Sequence, residues 1–280
     1  MDTKPITVIK PNNRLFTLNL AEVWKYRHLV RMFIVRDFVT FYKQTILGPL
    51  WFIIQPLFTS GMFTLIFGSV AKIPTDGIPP MLFYMAGNIN WAYFSECLTK
   101  TSDTFIANAN IFGKVYFPRL TVPISVIISN MIRYIIQYFV FIAIYIVFIF
   151  KGYTPVYNWM VLLTPVILIY MSFIGLGFGI WISSITTKYR DLRFALPFFV
   201  NLWMYATPVI YPLSIIPEKY KIFMLLNPMA PVIELFRMGY LGAGEVNINH
   251  IYISMGITFF VLLSGIIIFN KIEKTFMDTV

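Results

Sequence analysis

Six stretches of this chain run far enough without interruption by charge to cross a hydrocarbon core, which takes about 20 residues of helix. Nothing is charged between Lys43 and Lys72, which predicts a first span at 46–71. A second, at 80–97, fits between Asp76 and Glu96. The third falls within 118–150, where 134–150 is uninterrupted and apolar. A fourth occupies 159–184, a fifth 194–211 and a sixth 251–270, each bounded by Lys, Arg, Glu or Asp. The predicted architecture is an all-α polytopic membrane protein with six transmembrane helices and both termini on one side.

Composition supports the same reading. Charged residues make up 12% of the chain and apolar residues 58%, against roughly 25% charged in a soluble domain. So little charge cannot cover a globular surface, and the solvent that accepts apolar surface is the bilayer. Lysine and arginine also set an orientation. With the N-terminus inside, sixteen lie in inner segments and five in outer ones (Lys72, Lys151, Lys219, Lys221 and Arg237), while Arg133 lies within span three. The positive-inside rule then predicts N-in and C-in, with 1–45 and 271–280 cytoplasmic. The polar, lightly basic opening lacks the apolar core of a signal peptide, so the first span is expected to remain in the mature protein.

Two connections are unusual. On a helical wheel of residues 20–42, Leu20, Val23, Trp24, Ile34, Val35, Phe38, Phe41 and Tyr42 share a face, with Lys25, Arg36 and Lys43 opposite. This predicts an amphipathic helix in the inner interface. Arg27 and Arg31 fall inside the apolar arc, so the helix is expected to break there or to let them snorkel. The external stretch 212–250 holds two apolar segments too short to span, separated by the turn signal Asn227-Pro228. Either a re-entrant hairpin forming a gate or two helices resting on the outer leaflet fits that pattern.

Little in the chain can carry covalent chemistry. There is no phosphate-binding G-x-x-x-x-G-K-[ST] loop, and no metal site is expected, since His28 and His250 are isolated. The lone Cys97 reads as a small buried hydrophobe. Acidic residues are nearly absent from the spans, which disfavours ion coupling; Glu96 sits at the inner end of span two. Active transport would therefore need a separate motor. Arg133 reads as a snorkelling or paired residue at the inner boundary, or as a contact for an anionic head group. Gly175 and Gly179, with Gly177 between them, allow close helix packing in span four.

Aromatic and amide side chains gather in spans one, two and five. They include Trp51, Phe52, Gln55 and Phe63, then Tyr84, Asn88, Asn90, Trp91 and Phe94, then Phe198, Asn201, Trp203 and Tyr205. Flat rings beside amides suit a sugar, whose CH face stacks and whose hydroxyls need partners. Buried amides acting as glue between helices are the alternative. The candidate glycan path is Trp51, Phe52, Phe63, Tyr84, Asn88, Asn90, Trp91, Phe94, Phe198, Trp203 and Tyr205.

Arg36-Asp37, then Phe41-Tyr42-Lys43-Gln44-Thr45-Ile46-Leu47-Gly48-Pro49-Leu50-Trp51, then Gln55-Pro56, closely resembles the opening of polysaccharide-exporting ABC transporter permeases. Four later stretches fit the same family. They are Phe112-Gly113-Lys114-Val115-Tyr116-Phe117-Pro118-Arg119, Lys188-Tyr189-Arg190-Asp191-Leu192-Arg193, Thr207-Pro208-Val209-Ile210-Tyr211-Pro212 and Leu226-Asn227-Pro228-Met229-Ala230-Pro231. The resemblance covers about residues 20 to 240. It implies an inner-membrane homodimeric channel with two copies of a cytoplasmic ATPase, which binds ATP and Mg; this chain holds no cofactor. The substrate would be a glycan such as O-antigen on an undecaprenyl-type diphosphate, and no nucleic acid is expected as a partner. Residues implied to couple to the ATPase are Thr104, Asn108, Asn110, Lys114, Tyr116, Lys188, Arg190 and Asp191. Tyr211, Pro212, Asn227, Pro228, Glu234 and Arg237 would belong to the external gate.

A long hydrated polymer needs a tunnel, and stacked rings tolerate sliding, as they do for bases on single strands. Arg36, Lys43, Lys114 and Arg119 at the inner rim could hold the diphosphate, or they are ordinary positive-inside charge. A membrane enzyme acting on polyprenyl-linked sugar would draw on Glu218, Glu234, Arg237 and Glu245, a thin catalytic set. A permease of this architecture for a drug or lipid is the third reading, against which the amide-bearing spans speak.

Overall fold

The computed structural model describes residues 20–43, 45–154, 156 and 158–279. Residues 1–19 of the expected cytoplasmic segment, and the side chains of Leu20, Phe41 and Tyr42 on the expected apolar face, lie outside what is described. The helices are α1 (Leu20–Lys25), α2 (Arg27–Tyr42), α3 (Trp51–Phe63), α4 (Pro80–Ser102), α5 (Thr104–Ala107), α6 (Ala109–Phe112), α7 (Thr121–Phe150), α8 (Thr164–Thr186), α9 (Leu192–Tyr205), α10 (Glu218–Leu225), α11 (Ala230–Leu241) and α12 (Ile248–Thr279). No strand occurs among the described residues.

Helix α4 is the axis of the bundle. Pro80, whose missing N–H costs nothing in the first turn, opens it. Nearly every residue from Leu82 to Phe94 is buried, because α3, α7, α8, α9 and α11 all pack against it. Helix α8 approaches α4 through its small residues. A Cβ on Gly175 would stand 2.7 Å from Cys97 Cβ, and one on Gly179 would stand 2.5 Å from Thr101 Cβ. Gly177 faces the other way, with Leu262 of α12 at 3.1 Å from its would-be Cβ. One glycine-bearing helix thus seats two neighbours.

Among the described residues, four segments are long and apolar enough to cross a membrane: Gly48–Val70, Thr121–Phe150, Trp159–Thr186 and Ile248–Ile272. Six were expected, and the other two differ for physical reasons. Helix α4 has the length, but Asn88, Asn90, Glu96 and Lys100 dilute its apolar character; buried by neighbours, it does not need a lipid-facing surface. Helix α9 ends at Tyr205 instead of continuing to 211. At 1.5 Å per residue its 14 residues reach about 21 Å, short of the roughly 30 Å core. The chain turns at Thr207-Pro208, where the Thr207 hydroxyl bonds back to Trp203 O at 2.7 Å and Pro208 has no N–H to continue the ladder. Helix α12 runs on through Thr279, and its apolar span ends at Ile272. Span one is composite: a 3-10 turn at Gly48–Leu50 leads into α3, and a π-helical segment, Thr64–Val70, closes it.

The N-terminal segment breaks at Tyr26, beside the misplaced Arg27. The side packed into the protein carries Val23, Val30 and Phe33, with Phe33 5.8 Å from Phe117. Trp24 and Val35, expected on the apolar face, are exposed. The buried stripe follows the surface offered by α6 and α7, and the outward apolar residues are left for another environment.

Helices α10 and α11 meet at 101°. Helix α11 is buried almost throughout, whereas α10 exposes Tyr220, Ile222 and Phe223. Asn227 makes the corner: its amide donates to Ala206 O at 2.9 Å and Thr207 Oγ1 at 2.8 Å, and its Oδ1 accepts the Met229 N–H at 3.0 Å. Helix α11 stops at Gly242, whose φ of +70° suits glycine and whose Cβ would meet Val156 Cβ at 2.6 Å.

Candidate functional site

Three neighbouring cavities share lining residues. The first, about 720 Å³, opens between α2, α4, α5 and α7. Helix α7 contributes Val122, Val126, Ser129, Asn130 and Arg133, whose spacing of three and four puts them on one face. Arg36, Asp37, Phe38 and Thr40 come from α2, and Lys100, Asp103, Ala107 and Asn108 from the α4–α5 corner. Arg36 is held by Asp37 at 2.8 Å and lies over the Phe33 ring at 4.7 Å. Arg193 bonds Asp103 at 3.0 Å.

Arg133 and Asn130 also line the second cavity, about 180 Å³, together with Phe52, Gln55, Trp91, Tyr93, Glu96, Tyr134, Gln137 and Asn201. Between the two spaces Glu96 Oε2 accepts from Lys100 Nζ at 2.7 Å and from Arg133 Nη1 at 3.1 Å. The Arg133 guanidinium also lies 5.1 Å from the Phe52 ring centroid. Arg133 is therefore a paired residue at the mouth of an internal space. Gln55 continues into the third space, an open groove of about 700 Å³ along α3 lined by Leu47, Trp51, Ile54, Phe58 and Thr59.

The expected path residues separate into two groups. Phe52, Tyr84, Asn88, Asn90, Trp91 and Phe94 are buried within the bundle, and Phe63 and Trp203 are partly buried against the same core. Trp91 and Phe94 meet the Trp203 ring edge-on at 6.1 and 5.1 Å. Asn90 is satisfied internally, donating to Ala86 O at 2.7 Å and accepting from Tyr134 OH at 2.9 Å. Trp51, Phe198 and Tyr205 face outward. Of the amides, Gln55 and Asn201 reach the shared cavities while exposed on their helices.

Of the expected entry residues, only Arg36 lines the first cavity. Lys43 and Lys114 are exposed, and Arg119 lies over the Phe112 ring at 5.7 Å. Its cationic partners are instead Lys100 and Arg133. The coupling candidates meet at one end of the bundle, since Thr186 Oγ1 donates to Ser102 O at 3.1 Å and so joins the ends of α8 and α4. Asn110, Lys114, Tyr116, Lys188, Arg190 and Asp191 are exposed there. Thr104 and Asn108 are buried and bond within their own turns, Thr104 to Thr101 O at 2.7 Å and Asn108 to Thr104 O at 3.0 Å.

At the opposite end Glu234 and Arg237, expected in an external loop, are fully buried. Arg237 donates to Pro208 O at 2.5 Å and Val209 O at 2.7 Å, pairs with Glu234 at 3.4 Å and stacks on Phe83 at 3.6 Å. Glu234 accepts the Glu245 N–H at 2.9 Å. Tyr211 OH bonds Tyr205 O at 2.9 Å, and Pro212 opens a short 3-10 turn. Tyr240 was not anticipated, yet its hydroxyl meets Tyr138 at 2.7 Å and Thr164 at 2.8 Å, tying α11 to α7 and α8. Ser129 and Asn130 were also missed, although Asn130 lies one helical turn from Arg133.

The comparisons with known proteins bear on what such a bundle does. Residues 28–241 match the family described as ABC-2 type transporter. The chain is 31% identical over 249 residues to the O-antigen export system permease protein RfbA of Klebsiella pneumoniae, covering 87% of this chain and 91% of that protein. It is 26% identical over 221 residues to the RfbA of Myxococcus xanthus, covering 78% and 82%. With the polysialic acid transport protein KpsM of Escherichia coli it shares 25% identity over 260 residues, covering 89% and 95%. Long apolar helices around a buried polar axis, matched along most of their length, make this chain a multi-pass membrane protein of the ABC-2 type transporter family.

Proposed function

We propose that the chain is the membrane-spanning permease of an ATP-driven exporter of lipid-linked polysaccharide, such as O-antigen, acting at the inner membrane as a homodimer with two copies of a separate ATPase. The observation that carries this reading is a row of three neighbouring cavities, with Asn130 and Arg133 lining both of the first pair and Gln55 both of the second. A lipid-facing helix gains nothing from an exposed amide, which lacks partners in hydrocarbon. Gln55 between Trp51 and Phe58, and Asn201 between Phe198 and Tyr205, therefore fit surfaces that meet a hydrated polymer. Rings supply stacking and the amides supply hydrogen bonds that exchange from one sugar to the next.

In this reading the outward faces of α3 and α9 line the conduit between two copies. The anionic head group enters at the end that carries Arg36, Lys100 and Arg133. Exposed Lys188, Arg190 and Asp191, with α5 and α6 beside them, receive the ATPase. The buried Glu234–Arg237 pair weakens the membrane-enzyme alternative, because it removes both residues from the solvent-exposed catalytic set.

The test is recovery of the tagged chain from its native membrane in mild detergent, with mass spectrometry of what accompanies it and an assay of ATP hydrolysis. A stoichiometric ATPase, with activity lost when that partner is inactivated, is the expected result. Recovery of the chain without any ATPase, even after crosslinking, overturns the proposal.

A further inference from the structure

The second cavity gathers hydrogen-bonding groups that nothing in the fold uses. Amides from three helices line it, Gln55 of α3, Gln137 of α7 and Asn201 of α9, with Ser95 of α4 beside them. None of these side chains makes a hydrogen bond among the described residues. Nor are they sealed off: Gln55 and Asn201 are exposed, and Gln137 and Ser95 are partly so. Amides that only cement helices find protein partners, as Asn90 does with Ala86 O and Tyr134 OH. Unpaired amides are costly inside a membrane, so this group needs water or a hydrated ligand. The volume of about 180 Å³ is room for about six waters. That is comparable to one pyranose ring and too small for a stretch of polymer.

The rest of the wall narrows the chemistry. Phe52, Trp91 and Tyr134 are at most 4% exposed, so they shape the pocket and present no free face for stacking. Recognition therefore falls to hydrogen bonds. An amide both donates and accepts, which matches hydroxyls, whereas a phosphate would use its donors alone. Charge points the same way. Among the described residues the charged ones lining this cavity are Glu96 and Arg133, joined at 3.1 Å, and they cancel. Glu96 reaches Lys100 and Arg133 through Oε2, which leaves Oε1 for a charge-assisted bond from a hydroxyl. We infer that the cavity is a side pocket of the conduit that takes one neutral sugar residue of the glycan. Gln55 and Asn201 stand at its mouth, and Gln137, Ser95 and Glu96 read the hydroxyls. The inference rests on the export reading and deepens it, adding selection among sugars to a path that otherwise lets them slide.

The test is saturation-transfer NMR on the full chain in phosphatidylcholine nanodiscs. The probes are the methyl glycosides of glucose, mannose, rhamnose and N-acetylglucosamine, and methyl glucuronide. At least one neutral glycoside is expected to bind, and the uronide about tenfold more weakly, because its carboxylate meets Glu96 as a like charge. Gln137→Leu and Asn201→Leu should each weaken the neutral probe about fivefold, the loss of one hydrogen bond, without lowering the melting temperature. Glu96→Gln leaves Arg133 unbalanced and should turn the preference towards the uronide, a reversal that a merely structural carboxylate does not produce. Asn201→Leu, at an exposed site, keeps the test valid if Gln137→Leu does not fold. Neutral binding that survives both leucine variants, or a uronide that binds wild type as well as the neutral probes do, overturns the pocket. A wild type that copurifies with its ATPase yet binds no glycoside overturns the pocket and leaves the permease reading intact. A wild type that recovers no ATPase overturns the export reading, and the pocket with it.

Discussion

Arg237→Met is the substitution whose consequence the structure defines most sharply. Methionine keeps much of the side-chain stem that packs between α11 and α4, and removes the guanidinium. Two carbonyls, Pro208 O and Val209 O, then lose donors at 2.5 and 2.7 Å, and the stack on Phe83 at 3.6 Å disappears. Glu234, 1% exposed, is left in the interior without its cation. Removing one member of a buried ion pair costs about 3–5 kcal/mol, and most of that cost comes from the stranded carboxylate. Glu234→Gln keeps an acceptor for the Glu245 N–H but leaves the buried Arg237 guanidinium with only carbonyls and the Phe83 ring to hold its charge, so it should cost a similar amount, about 3–5 kcal/mol at most. In the double variant the stranded charge is gone. Its destabilisation should therefore fall short of the sum of the singles by about 1–3 kcal/mol, as coupled neighbours do. The assay is thermal unfolding of the detergent-purified protein, read by loss of the monodisperse peak, for all four members of the cycle. An Arg237→Met protein within about 0.5 kcal/mol of wild type, or strictly additive singles, refutes the reasoning, since surface-like behaviour of that size is incompatible with a buried anchor.

Other perturbations follow from the same packing. Gly179→Val forces a side chain to within 2.5 Å of Thr101 Cβ, so it should cost about 1–3 kcal/mol or more by overpacking and lower the melting temperature, whereas Gly256→Val, with nothing within 4 Å, should not. Arg193→Ala breaks a half-exposed pair with Asp103 and should change stability by no more than about 1 kcal/mol, measured by the same melting assay. Phe198→Ala and Tyr205→Ala, on the exposed face of α9, should leave stability within about 0.5 kcal/mol yet reduce glycan export by vesicles reconstituted with the ATPase; unchanged export in the pair together speaks against their place in the conduit.

Charge-free length was enough to locate most of the bundle, because hydrocarbon imposes a minimum helix length whatever packs inside. It did not tell outward-facing rings from core rings: Trp91 and Phe94 read like Phe198 and Tyr205, but the first pair is at most 4% exposed and the second 61% and 55%. Apolar surfaces look alike in sequence when both solvent and core are apolar. The early end of α9 was written in Thr207-Pro208, a turn signal that the absence of charge overrode. Arg237 was counted as a loop charge because its shortest hydrogen bonds go to the carbonyls of Pro208 and Val209, and carbonyls are invisible in a sequence. Asn130 and Arg133 share a helix face and could have been paired by spacing alone. Glu96, which completes their site, sits on another helix and needed the fold.

The buried axis of the bundle has a consequence for how the protein is made. Helix α4 buries two asparagines, Asn88 and Asn90, in its middle and carries Glu96 and Lys100 towards its C-terminal end, and amides in hydrocarbon must find their partners within protein. On leaving the translocon alone it would be a poor guest in lipid. Its principal neighbour, α8, is not synthesised until some 60 residues later. Biogenesis must therefore shelter α4, retaining it beside the translocon or sending it into the bilayer in the company of α3 and α7, until α8 arrives to close the wall around it.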